Sequence, residues 1–253
     1  MNLTAVYVLW LREMKRFFRT KSRIFGMLVM PLLFMVFFGL GFGSINIPGM
    51  PAGINYLAFL IPGIIGMSVL FTSMFSGISV LWDREFGFLK EIMVAPVDRV
   101  SIVMGRILGG VSTVLIQVVL IMLISLLFGF TIPGVVEFLI TMVFIVLIST
   151  TFIGIGLIMA SRMKDMHGFN LITQFIIFPT FFLSGALYPI TNLPNVVKII
   201  SYIDPLTYGV DGMRSVLIGA STFPLMLNLV VMITLSLVTV FLGAYAFEKS
   251  ESL

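Results

Sequence analysis

Five long stretches of the chain carry no charge. There is no Asp, Glu, Lys or Arg between Arg23 and Asp83, Arg106 and Glu137, Glu137 and Arg162, Asp165 and Lys198, or Arg214 and Glu248. Each gap holds at least one apolar run that reaches the roughly 20 residues a helix needs to cross a bilayer. Divided at their turn residues, the gaps predict six spans, over 24–42, 56–81, 102–128, 138–160, 169–187 and 225–247. The breaks are marked by Pro48 and Gly49, by Pro133 and Gly134, and by Tyr188 and Pro189. The pattern is that of an all-α integral membrane protein.

Composition agrees: 59% of residues are hydrophobic, 10% are charged and mean hydropathy is +1.17. A soluble domain carries about 25% charged residues. The basic residues are unevenly shared. Of 15 Lys and Arg, 13 fall in the N-terminal segment, the 82–106 loop, the 161–168 loop and the C-terminal tail. Only Lys198 and Arg214 fall on the other side. Lys and Arg concentrate in cytoplasmic loops, so both termini are expected in the cytoplasm. Trp10 and Trp82 then lie at the cytoplasmic interface, where aromatic anchors are common.

Three segments outside the spans carry information. Residues 1–23 hold six basic residues, and Val6, Leu9, Trp10, Met14 and Phe17 recur on one helical face. This predicts an amphipathic helix in the headgroup layer, or else a first span extended into the cytosol. The apolar run that follows is too long for a secretory signal and reads as a retained span. The 82–101 loop is longer than a connection requires. Phe88, Leu89, Ile92 and Met93 share a side, Asp83, Arg84, Lys90 and Glu91 are polar, and Pro96 ends the pattern. Such a helix is suited either to a groove on a cytoplasmic partner or to the lipid surface. The 188–222 stretch is expected outside the cell. Pro194 and Pro205 each open a helix too short to span, read as interfacial or re-entrant. Asp211 and Arg214, at i and i+3, are placed to pair.

The loop DREFGFLKEIMVAPVDR, followed by Gly105 to Gly110 opening a span, resembles the cytoplasmic signature of ABC-2 type permeases. The block SGALYPITNLP…DPLTYGVDGMRSVL is similar to that family's segment before its last helix. The resemblance covers nearly the whole chain and is strongest to the drug-resistance and nodulation-factor export branch. It implies one transmembrane domain over 1–253, in a prokaryotic plasma (inner) membrane. It also implies a second permease copy or a sister permease, and separate ATPase subunits that hold ATP and Mg. The loop between the second and third spans would then couple to the ATPase. Asp83, Arg84, Glu85, Phe86, Gly87, Phe88, Lys90, Glu91 and Pro96 are its residues here. Glu85 and Gly87 match the positions that the motif keeps best. On this reading the outer segment gates the exit through Tyr188, Pro189, Asp204, Pro205, Asp211 and Arg214.

Other chemistry finds no residues. There is no cysteine, one histidine (His167), and no G-x-x-x-x-G-K-[ST], G-x-S-x-G or H-E-x-x-H motif. No catalytic residue, metal site, cofactor of its own or nucleic-acid partner is expected; membrane lipid is. Gly105 and Gly109 form a small-xxx-small motif that permits close helix packing. Gly39, Gly41, Gly43, Gly154 and Gly156 read as packing or bending sites. The function expected is the permease subunit of an ATP-driven exporter of an amphiphilic drug, lipid or glycan. An ATP-independent secondary transporter or channel is the alternative, though the spans lack the ionisable rings it would need.

Overall fold

The computed structural model describes residues 2–42, 53–85, 98–163 and 165–250. All regular structure among them is helical. Helix α1, Leu3–Arg19, starts at Asn2, whose Oδ1 accepts from the Thr4 and Ala5 N–H groups. After an elbow at Thr20 comes α2, Lys21–Phe34, which continues as a π-helical turn over Met35–Leu40. Helix α3 is Tyr56–Ser76 and α4 is Ile78–Glu85. The next two are long: α5, Arg99–Leu127, and α6, Val135–Arg162. Helix α7 is Met166–Leu183. Two short helices follow, α8 (Asn195–Ile203) and α9 (Pro205–Ile218), and α10 closes the chain over Leu225–Ser250.

Six helical segments are long and apolar enough to cross a membrane: Lys21–Gly39, Tyr56–Ser76, Val100–Leu127, Val135–Arg162, Met166–Leu183 and Leu225–Phe247. They correspond to the six predicted spans. The second differs in its end. The sequence predicts one span over 56–81, but the helix breaks at Gly77. The cause is a close crossing with α6. A Cβ on Gly77 would stand 2.6 Å from the Gly156 carbonyl carbon, and one on Gly156 would stand 2.7 Å from the Met74 oxygen. Ser76 and Ser79 hydroxyls also donate to the carbonyls of Ser73 and Ser76, loosening the same turn.

The buried side chains form two clusters. The smaller one joins Leu81, Ile102, Val103, Leu157, Phe169 and Phe247. These lie near the ends of α4, α5, α6, α7 and α10 that share one end of the bundle with the termini. The larger one is centred on α3 and reaches Phe130, Ala186, Leu206 and Val210 at the far end. Helix α3 is the central post. In its most apolar stretch 78% of residues are buried, against 17% for the first span and 22% for α7 and for α10.

Pro31 has no N–H, so the Met27 carbonyl one turn earlier loses its helical donor. Gln117 of α5 replaces it, donating Nε2 to Met27 O at 3.1 Å. Thr72 of α3 in turn donates its hydroxyl to Gln117 Oε1 at 2.7 Å. One amide therefore joins three spans at the point where the first is broken.

Gly156→Ala is expected to destabilise by about 1–3 kcal/mol, because the added methyl meets backbone that cannot turn aside. Gly26→Ala, whose Cβ would meet nothing within 4 Å, is expected to be neutral or slightly stabilising. Thermal unfolding of the detergent-purified variants checks this; equal midpoints would refute the close crossing.

Candidate functional site

At the terminal end, α4 carries the start of the expected coupling segment. Asp83, Arg84 and Glu85 form its last turn; their side chains lie outside the description. Phe86, Gly87, Phe88, Lys90, Glu91 and Pro96 lie outside the described residues. The helix expected over 83–96 is rooted earlier, at Ile78, and Leu81 anchors it in the smaller core cluster. The chain resumes at Asp98, the N-cap position of α5, and Ile102 and Val103 enter the same cluster. The flanking helices α4 and α5 are therefore both anchored at the end of the bundle that holds the termini.

Helix α1 packs there too, across the first turns of α5. Val6, Met14 and Phe17 are buried, so part of the face expected in the headgroup layer lies against protein. Gly105 and Gly109 face α1: their added Cβ atoms would stand 2.8 Å from Leu9 Cβ and 2.9 Å from Glu13 Cβ. Asn2 N donates to Ser101 Oγ at 2.8 Å, and Trp10 Nε1 donates to Ser112 Oγ at 2.9 Å. The Arg16 guanidinium sits 5.5 Å from the centre of the Trp82 ring, bringing α1 against α4.

At the far end the 184–223 region folds into a locked corner. Gly185 turns the chain with φ of +72°, a conformation that suits glycine. The loop after it lies directly on α3, where a Cβ on Gly63 would overlap the Ala186 oxygen. Arg214, buried on α9, holds this contact. Its Nη1 donates to Gly185 O at 2.8 Å, its Nη2 to Ala186 O at 2.6 Å and its Nε to Phe59 O at 3.2 Å. The guanidinium also lies 3.6 Å from the Phe59 ring centre. Burial lowers its pKa to about 9, opposed by nearby Asp211, so it remains a cation at neutral pH. Tyr56 adds a hydrogen bond to Leu187 O, and the Tyr188 hydroxyl donates to Phe182 O. Pro189, buried, leads into a short turn over Ile190–Asn192.

The expected Asp211–Arg214 pair does not form. Asp211 is committed elsewhere: it accepts from Thr222 N at 2.6 Å, from Phe223 N at 2.9 Å and from Asn228 Nδ2 at 2.9 Å. One i, i+3 couple thus becomes two separate ties. Arg214 fixes α9 to the loop and α3, while Asp211 fixes it to the start of α10. Asp204 caps α9, its Oδ1 accepting from Leu206 N at 3.0 Å, with Pro205 in the first turn. Its Oδ2 is buried without a hydrogen-bond partner. Burial pushes this carboxyl up to about 8. Tyr56, Phe59, Gly63 and Asn228 are the members of this corner that the sequence pattern misses. They sit in spans, where they look like any other span residue.

Comparison with known proteins adds to this geometry. The family model described as "ABC-2 type transporter" matches residues 4–218. The inner membrane transport permease YadH of Escherichia coli (strain K12) is 28% identical over 224 residues, covering 87% of this chain and 86% of the relative. The putative transport permease ycf38 of Pyropia yezoensis is 29% identical over 200 residues, covering 78% and 68%. Nodulation protein J of Rhizobium meliloti (strain 1021) is 26% identical over 201 residues, covering 79% and 75%.

Two outcomes follow from the corner. Arg214→Leu leaves three buried carbonyls without their donor and is expected to cost about 3 kcal/mol or more, with Arg214→Lys intermediate. Chemical or thermal unfolding of the purified protein reads this. Asp204 adds a pH dependence. Its folded pKa lies above the unfolded 3.8, so its support is full below that value and is lost as pH rises through about 8. Asp204→Asn keeps the capping oxygen but cannot ionise. The difference in unfolding midpoint between wild type and variant is expected to change between pH 5 and pH 9; a constant difference would overturn the assignment.

Proposed function

The chain belongs to the ABC-2 type transporter family, and from that premise we propose that it is the permease subunit of an ATP-driven exporter in a bacterial inner membrane. A second permease subunit would complete the route, and separate ATPase subunits would dock at the end that carries the termini. The cargo class on this reading is amphiphilic: a drug, a lipid or a glycan on a lipid carrier. The observation that carries the proposal is the rooting of the 86–97 segment. The described elements on either side of it, α4 and α5, are both anchored in one packed cluster. On this reading a movement imposed there enters the second and third spans together. The sequence holds no phosphate-binding loop, which supports a separate ATPase subunit as the site of hydrolysis.

The proposal places α1 and α4 nearest the ATPase, and the far corner at the exit. The ties of α9 to α3 through Arg214 and to α10 through Asp211 support reading the far corner as the gate of that exit. Names borne by relatives support the setting: one is an inner membrane transport permease and another a nodulation protein.

Tagged protein purified in mild detergent from its native host is expected to bring down an ATPase with a Walker motif and vanadate-sensitive hydrolysis. Glu85→Lys or Gly87→Pro is expected to leave insertion and amount unchanged while abolishing that association or uncoupling transport. Normal export by well-inserted variants would sink the docking role. A chain that purifies alone and moves solute in liposomes without ATP would replace the exporter by a secondary transporter.

A further inference from the structure

A cavity of about 660 Å³ opens between α1, the start of α2, α3 and α4. It is not part of the coupling segment or of the far corner. Its two sides differ in chemistry. Toward the terminal end it is lined by Glu13, Arg16 and Arg23 with the indole of Trp82. Toward the bundle it meets Thr72, Ser76 and Ser79 along one wall and Met27, Phe71 and Phe75 along another. Thr72 and Met27 belong to the Gln117 stitch, which lies at that side.

The charges are arranged for an anion. Arg16 is held in place by its ring contact with Trp82, and no hydrogen bond among the described residues uses its donors. Arg23 gives Nη1 to Glu13 at 3.4 Å, a long and partly exposed pair worth little to stability. Among the described lining residues, two guanidiniums stand against one carboxylate. A third, Arg106, stands one hydroxyl away, donating to Ser79 Oγ at 3.2 Å. Guanidinium groups match phosphate and carboxylate oxygens with paired, charge-assisted hydrogen bonds. A free anion would leave the Met27, Phe71 and Phe75 side of the cavity empty. On the face of α2 that continues from Gly26, Met30 and Leu33 are exposed to the surroundings of the bundle. A charged head with an apolar tail fits both halves.

We infer that this cavity is a headgroup site for an anionic amphiphile, with Arg16 and Arg23 holding a phosphate-type group and the tail running along α2. That the occupant is cargo rests on the export reading; that it binds does not.

The test uses the full-length chain in nanodiscs of phosphatidylcholine. The probes are short-chain phosphatidate and phosphatidylcholine carrying the same fluorescent tail, followed by polarisation. Phosphatidate is expected to bind at least about tenfold more tightly, and Arg16→Gln with Arg23→Gln to remove about that factor. Glu13→Gln is expected to strengthen phosphatidate binding, since it frees Arg23 from its competitor, a gain that misfolding cannot produce. Equal affinity for the two lipids, or no loss in the double variant, would overturn the site. Displacement by inorganic phosphate at the concentration that matches the lipid would show a free-anion site and overturn the amphiphile. A negative result leaves the ATPase association untouched, so the two readings fail separately.

Discussion

A helix that crosses a membrane has no water to repair a broken backbone hydrogen bond, so each break must find its partner inside the protein. This constraint organises the structure. Where Pro31 withholds its N–H, the Met27 carbonyl takes a donor from Gln117, and Gln117 takes one from Thr72. Where the chain leaves helical geometry at Gly185 and Ala186, their carbonyls are taken up by Arg214. Neither site is an isolated contact. Each exists because an irregular stretch of backbone is buried and an unpaired polar group there costs several kcal/mol.

Both repairs end on α3. Thr72 lies toward its terminal end and Phe59 toward the other. That explains why this helix is buried on nearly every side, and why glycines stand where its neighbours cross. Gly63 admits the 185–187 loop, Gly66 admits Val210 of α9, and Gly77 admits the backbone of Gly156. Larger side chains would separate the elements beyond hydrogen-bond reach. The outward faces of α2, α7 and α10 have no such role. They keep large apolar side chains exposed, Phe37, Phe175 and Phe241 among them, as a lipid-facing or subunit-facing surface does.

The spans were legible because charge is excluded from hydrocarbon, and charge is the plainest signal in a sequence. The starts of α8 and α9 were legible for a local reason, since Pro194 and Pro205 suit a first turn. The partners of Asp211 and Arg214 were not. Spacing on a helix says which residues share a face, but not which carbonyls of a distant loop will fold over that face. The break at Gly77 was hidden because glycine inside an apolar run reads equally as packing, bending or filler. Gln117 left one usable sign: a proline in the first span orphans a carbonyl, and one of the few amides in the spans is the natural donor. The face of α1 was read correctly as apolar, but periodicity does not distinguish lipid from the neighbouring helix, α5, that covers much of it.

The two ends of α3 are held by different chemistry, and this bears on how a permease of this shape would move. The far corner is tied by a buried cation to three carbonyls and by a carboxylate to two N–H groups and an amide. Charge-assisted bonds of this kind are about twice as strong as neutral ones. At the terminal end the ties among the described residues include Gln117 with Thr72, Trp10 with Ser112, the partly exposed Glu13–Arg23 pair and Arg106 on Ser79. On the export reading, force enters at the terminal end. The first elements to respond are then α1, α4 and the sparsely buried α2, which turn about Gly77 and the Pro31 break. The far corner yields only after α3 itself has shifted. On the export reading the entrance then opens before the exit unlocks, with the charge-assisted far corner acting as the gate.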